Sequence, residues 1–185
     1  MQALLVSTAA VAIAEIGDKT QLLSLILAAK YRKPWPIILG IVAATVINHA
    51  LAGAFGALIA HWLSPTALKW TVAISFLAVA AWTLIPDRLD EDGIAEGSGH
   101  GILVATVIAF FLAEMGDKTQ IATIVLAANY HPLWQVVAGS TLGMLVANVP
   151  VVLLGARFAR QMPLRAARIG AALLFATLAL WIVWR

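Results

Sequence analysis

Most of this chain falls in six apolar stretches, at 3–29, 37–60, 68–85, 102–128, 136–156 and 169–184. The hydrocarbon core of a bilayer is about 30 Å thick, and roughly 20 apolar residues of helix cross it. Within it a chain must satisfy its own backbone polar groups, so stretches of this length are read as spanning helices. Charged residues make up 11% of the sequence and hydrophobic residues 62%, whereas a water-soluble domain carries about 25% charge. The expected fold is an all-α integral membrane protein with six transmembrane helices.

The charges that remain are distributed with a bias. The loops after spans one, three and five lie on one side of the membrane and carry Lys30, Arg32, Lys33, Arg88, Arg157, Arg160, Arg165 and Arg168, while the other side carries only Lys69 and Arg185. The positive-inside rule puts the basic side in the cytoplasm and both termini outside. Trp35, Trp62, Trp70, Trp134, Trp181 and Trp184 stand near span ends, where aromatic anchors belong. The net charge of +3 therefore reflects topology, and nucleic-acid binding is not expected. The first stretch lacks a basic leader and runs through Glu15 and Asp18 to a basic stop, so it is expected to be a retained helix. Short loops favour a prokaryotic inner membrane.

The one stretch with the character of a soluble tether is 87–101, with five acids and several glycines, at the midpoint of the chain. Around it the sequence repeats. Ala14-Glu15-Ile16-Gly17-Asp18-Lys19-Thr20-Gln21 returns as Ala113-Glu114-Met115-Gly116-Asp117-Lys118-Thr119-Gln120, an offset of 99 (114 − 15), and the same offset relates Tyr31 to Tyr130, Trp35 to Trp134, Gly40 to Gly139 and Gly56 to Gly155. The organisation expected is a three-helix repeat over 1–86, an acidic cytoplasmic linker over 87–101 and a second repeat over 102–185. Three spans per half is an odd number, so the second half enters the membrane inverted. Inverted repeats are a transporter architecture with the substrate site near the midplane.

Of nine acidic residues, five lie in the linker and the other four are Glu15, Asp18, Glu114 and Asp117. Glu15 lies 11 residues past Leu4 (15 − 4), about 16 Å along a helix and so near the bilayer centre. Carboxylates there are costly unless paired or solvated. In a continuous helix the spacing of three puts Glu15 and Asp18 on one face, and likewise Glu114 and Asp117, so two crossing helices would gather four carboxylates. The plainer reading, that Glu15–Lys19 and Glu114–Lys118 are i,i+4 ion pairs, leaves unexplained why an expensive constellation occurs twice when apolar residues pack more cheaply.

The chain has no cysteine, which excludes disulfides, thiolate metal sites and cysteine nucleophiles. A metal would be held by oxygen or by one of four histidines. Carboxylates with Gln21 and Gln120, and with Thr20 and Thr119 beside them, suit hard cations such as Ca²⁺, Mg²⁺ or Mn²⁺. Lys19 and Lys118 balance charge. Gly17 and Gly116 serve either close helix packing or local unwinding. Thr45, Asn48 and His49, with Thr141 and Asn148, on the second span of each half are candidates for further ligands or supporting hydrogen bonds, and for His49, with no histidine equivalent in span five, the favoured reading is a satisfied histidine of the bundle interior.

The doubled Glu-x-Gly-Asp-Lys-Thr motif, Glu15–Thr20 and Glu114–Thr119, closely resembles that of the Gdt-type cation/proton exchangers, which include the Golgi manganese and calcium transporter and bacterial manganese exporters. The resemblance covers the whole chain, and both copies match without substitution. It implies export of Mn²⁺ or Ca²⁺ from the cytosol in exchange for protons, with Glu15, Asp18, Glu114 and Asp117 binding the ion, no prosthetic group and no enzymatic activity. Four carboxylates and two lysines sum to about −2 when ionised, which one divalent cation or two protons would cancel, so competition for one site couples the fluxes. Two other readings stand beside it: an exporter of a cationic small solute, and an intramembrane aspartyl protease using the paired Gly-Asp sites.

Overall fold

The computed structural model describes residues 1–85, 99–155 and 163–184. Most of the expected linker, together with Arg88, Arg157, Arg160 and Arg185, lies outside them. Eight helices are described: α1 (Gln2–Glu15), α2 (Lys19–Tyr31), α3 (Pro34–Trp62), α4 (Pro65–Thr83), α5 (Gly99–Glu114), α6 (Lys118–Asn129), α7 (Leu133–Leu154) and α8 (Leu164–Trp184). The described residues contain no strand, and the protein is an all-α membrane protein.

Four helices, α3, α4, α7 and α8, are long and apolar enough to cross a bilayer. Proline opens α3 and α4 at the first turn, where its missing N–H costs no helical bond. The other two stretches differ from the continuous spans expected over 3–29 and 102–128. Each is broken in the middle, into α1 and α2 and into α5 and α6. Gly17 has φ +79° and Gly116 φ +72°, a left-handed conformation open to glycine and strained for other residues. After each glycine an aspartate restarts the helix, with the Asp18 carboxylate accepting from the Thr20 N–H at 3.5 Å and that of Asp117 from the Thr119 N–H at 3.4 Å. Hydropathy does not register such a break because the flanking residues on both sides stay apolar.

Packing is reciprocal between the halves. The first helix of each half lies on the long helix of the other: α1 on α7, and α5 on α3. Matching glycines allow the approach. A Cβ at Gly40 would lie 2.6 Å from the Thr106 Cβ, and one at Gly139 would lie 2.5 Å from the Leu4 carbonyl oxygen and 3.0 Å from the Ser7 Cβ. Thr106 and Ser7 are themselves equivalents in the repeat. Between these pairs α3 packs on α7, and α4 packs on α8 through stacked Phe76 and Phe175, with centroids 5.9 Å apart. Leu39, Leu51, Leu58, Ile74, Val146 and Leu180 are exposed, as are the six anchor tryptophans, a surface suited to lipid rather than water.

The reciprocity fails at one end. α6 is held between α3 and α4, but among the described residues α2 packs on α7 with no comparable contact to α8, which leans on α1 instead. A Cβ at Gly56 would sit 2.1 Å from the Ile124 carbonyl oxygen of α6, whereas its equivalent Gly155 has nothing within 4 Å.

A carboxylate cluster between two helix breaks

The breaks set the geometry of the site. At the end of α1 the Asp18 N–H donates to the Glu15 carbonyl at 3.0 Å, and at the end of α5 the Asp117 N–H donates to that of Glu114 at 3.1 Å, closing a turn in each half. Glutamate therefore ends one helix and aspartate begins the next, so the two do not share a helix face as a continuous span would have required. Gln21 and Gln120 stitch the breaks: their Oε1 atoms accept from the Gly17 and Gly116 N–H groups at 2.9 and 2.8 Å. Their amides reach across to the other half, Gln21 to the Ala147 carbonyl at 3.0 Å and Gln120 to the Asn48 Oδ1. Residues 48 and 147 are equivalent in the repeat, so the same latch is built twice.

The Asp-x-x-Gln spacing, Asp18 to Gln21 and Asp117 to Gln120, is the sequence signal that could have located the breaks. An N-cap residue followed three positions later by Glu or Gln marks a helix start, and here the glutamine reaches one residue further back, to the glycine.

Three of the four membrane carboxylates converge. Glu15, Glu114 and Asp117 are buried, and each offers an oxygen such that all three lie within 4.8 Å of one another. Asp18 is also buried but stands outside this group, with its Oδ1 against the Lys118 ammonium. Lys19 pairs with Asp117 at 3.0 Å. The ion pairs thus run between the halves, and the i,i+4 pairs Glu15–Lys19 and Glu114–Lys118 are not what the lysines make. A broken helix turns each lysine away from its own glutamate and toward the opposite aspartate. Lys118 is almost wholly buried, whereas Lys19 keeps 21% of its side chain exposed.

Thr20 donates its hydroxyl to Glu15, and Thr119 donates its hydroxyl to Glu114. Each glutamate keeps one buried oxygen without a hydrogen-bond partner, Oε1 of Glu15 and Oε2 of Glu114. Asn48 donates to the Phe111 carbonyl at 3.4 Å. Asn148 accepts from Ser24 at 2.8 Å and donates to the Met144 carbonyl at 3.1 Å. Thr45 and Thr141 are buried.

His49 departs from its expectation. It is fully buried, but neither ring nitrogen has a hydrogen-bond partner, and Nε2 lies 3.7 Å from the Glu114 Oε1. No repeated partner signalled this in the sequence, since the equivalent position is Asn148.

A cluster of buried carboxylates with unpaired oxygens, charge-balanced by two lysines and flanked by helix ends, is suited to hold a cation and to take up protons in its absence. Comparison with known proteins agrees with that chemistry. The family described as the divalent cation/proton antiporter GDT1 matches residues 3–91 and 102–185, and the residues between fall in the acidic linker. A Vibrio cholerae protein named "Putative manganese exporter" is 56% identical over 182 residues, covering 97% of this chain and 90% of its own length. A GDT1-like protein of Synechocystis is 31% identical over 80% of each chain, and one of Arabidopsis thaliana is 26% identical over 88% of this chain and 87% of its own. No solved structure matches. These matches run the length of the chain and include both motif copies, and the chain belongs to the GDT1 family of divalent cation/proton antiporters, which are transporters and not enzymes.

Proposed function

We propose that this protein exports Mn²⁺, with Ca²⁺ as a second cargo, from the cytosol in exchange for protons, and that Glu15, Glu114 and Asp117 are the principal ligands. The observation that carries the reading is the convergence of three buried carboxylates from both halves, two of which retain unpaired buried oxygens. Asp18 completes the charge of the site through Lys118, and Lys19 does the same for Asp117. Gln21 and Gln120 can swing their amide oxygens from the glycine N–H groups onto the ion, while Thr20, Thr119, Asn48 and Asn148 orient the groups around it. Gly17 and Gly116 are the positions about which the broken helices flex.

With all four acids and both lysines ionised the site carries a charge of about −2, which one divalent cation or two protons would cancel. Neither a vacant charged site nor a doubly loaded one is then favoured in the membrane. A cycle moving one M²⁺ against two H⁺ follows. The two halves act as inverted three-helix repeats over 1–86 and 102–185, with each broken pair crossing as one interrupted span to give six in all. Reciprocal packing of α1 on α7 and α5 on α3 supports this arrangement. The linker lies in the cytoplasm, both termini lie outside, and the membrane is a bacterial inner membrane.

The test is flux in proteoliposomes loaded with a metal-sensitive dye and a pH dye, under imposed Mn²⁺, Ca²⁺ and proton gradients. Wild type should move metal against protons, and Glu15→Gln and Asp117→Asn should each lower the coupled flux by at least about 100-fold. Flux surviving in both variants, or no divalent flux in correctly inserted wild type, would overturn the proposal.

A further inference from the structure

We propose that His49 is a direct ligand of the transported ion, supplying the one nitrogen donor in an otherwise oxygen site and so selecting a transition-metal ion such as Mn²⁺ over Ca²⁺. The inference rests on the reading of the carboxylate cluster as the transport site.

The repeat provides the internal comparison. Position 49 in α3 corresponds to position 148 in α7, where Asn148 is fully engaged with Ser24 and the Met144 carbonyl. The counterpart of Ser24 is Thr123, whose hydroxyl donates instead to the Thr119 carbonyl within its own helix at 2.8 Å. The bond that Ser24 makes to Asn148 has no counterpart between Thr123 and His49. His49 is therefore buried with both nitrogens unpartnered. Burying a polar group without a partner is costly, and a functional role or a bound ion is among the reasons such a group persists.

Its direction points to the ion. The Gln120 latch to Asn48 fixes this turn of α3 against the α5–α6 break, and Nε2 comes to 3.7 Å from the Glu114 Oε1. Two donors on one cation, each at about 2.0–2.3 Å, lie roughly 3–4 Å apart. His49 is not one of the three residues whose ligand atoms all lie within 4.8 Å of one another; it stands beside that group at Glu114, and an ion drawn toward Glu114 is met by a shift of the ring. The chemical consequence is discrimination, because imidazole nitrogen binds first-row transition ions well, whereas Ca²⁺ and Mg²⁺ take oxygen almost exclusively.

Electron spin-echo envelope modulation on the purified protein loaded with Mn²⁺ tests this directly. Wild type should show ¹⁴N modulation from a coordinated imidazole. The signal should persist in a variant with His61, His100 and His131 all replaced by Asn, and vanish in His49→Asn. In the same samples Ca²⁺ should displace Mn²⁺ from His49→Asn at about tenfold lower concentration than from wild type. Bound Mn²⁺ without ¹⁴N modulation in the wild type overturns the inference and leaves the carboxylate site standing. Failure of wild type to bind Mn²⁺ in a manner sensitive to Glu15→Gln overturns both. The wild-type and single-histidine proteins decide the matter even if His49→Asn does not fold.

Discussion

Lys118 and Asp18 form the more enclosed of the two ion pairs, with side-chain exposures of 3% and 0%. Removing one partner of a buried pair leaves the other charge without compensation, at a cost of about 3–5 kcal/mol, whereas replacing both with neutral residues is often close to neutral. Asp18→Asn should therefore lower thermal stability in detergent by about 3 kcal/mol, and the double variant Asp18→Asn/Lys118→Met should regain most of it. A double-mutant cycle monitored by thermal unfolding measures the coupling. Lys19→Met should cost less, because water already reaches that lysine. The carboxylates themselves were legible from the sequence, since acids repeated in an apolar context are too costly to be kept for packing alone. Their partners were not, because ion pairing was read along a helix that the structure interrupts. For His49 the sequence left a ligand role and a satisfied interior role open, and the repeat could not choose between them because its counterpart is Asn148.

At the scale of elements, α3 is approached at glycines by three different helices. Gly40 faces Leu103 and Thr106 of α5, Gly53 faces Leu133 and Val137 of α7, and Gly56 faces the Ile124 carbonyl of α6. The last contact is the tightest of the three and is with rigid backbone, at 2.1 Å, so Gly56→Ala should force α3 from α6 and destabilise by about 2–3 kcal/mol, while no described residue comes within 4 Å of a Cβ at the equivalent Gly155. Thermal unfolding of Gly56→Ala beside Gly53→Ala checks this, because the Leu133 and Val137 side chains near Gly53 can move aside and should spare that variant much of the loss. The four uninterrupted helices lie within a few residues of the apolar stretches that announced them, since length and hydropathy suffice where a helix crosses without interruption. The interrupted pairs were hidden because apolar composition is blind to a reversal of φ at a single glycine. The cue that did exist was one of capping, in the Asp-x-x-Gln spacing.

Across the whole molecule, the two halves are alike in sequence motif but unequal in packing. α6 is enclosed by α3 and α4, and Tyr130 just beyond its end stacks on Trp181 with centroids 6.4 Å apart. Among the described residues, α2 has α7 beside it without a matching embrace from α8. Local opening is easiest where packing is thinnest, so amides of α2 should exchange hydrogen faster than those of α6 in hydrogen–deuterium exchange by mass spectrometry. Equal protection of the two would contradict the asymmetry. The crossed ion pairs carry a different consequence, one of timing. Lys19 finds its counter-charge on Asp117 and Asp18 finds its own on Lys118, yet a ribosome delivers the first of these residues about a hundred positions before the second. Until the later half is made, neither Asp18 nor Lys19 can form the pair it has in the finished protein.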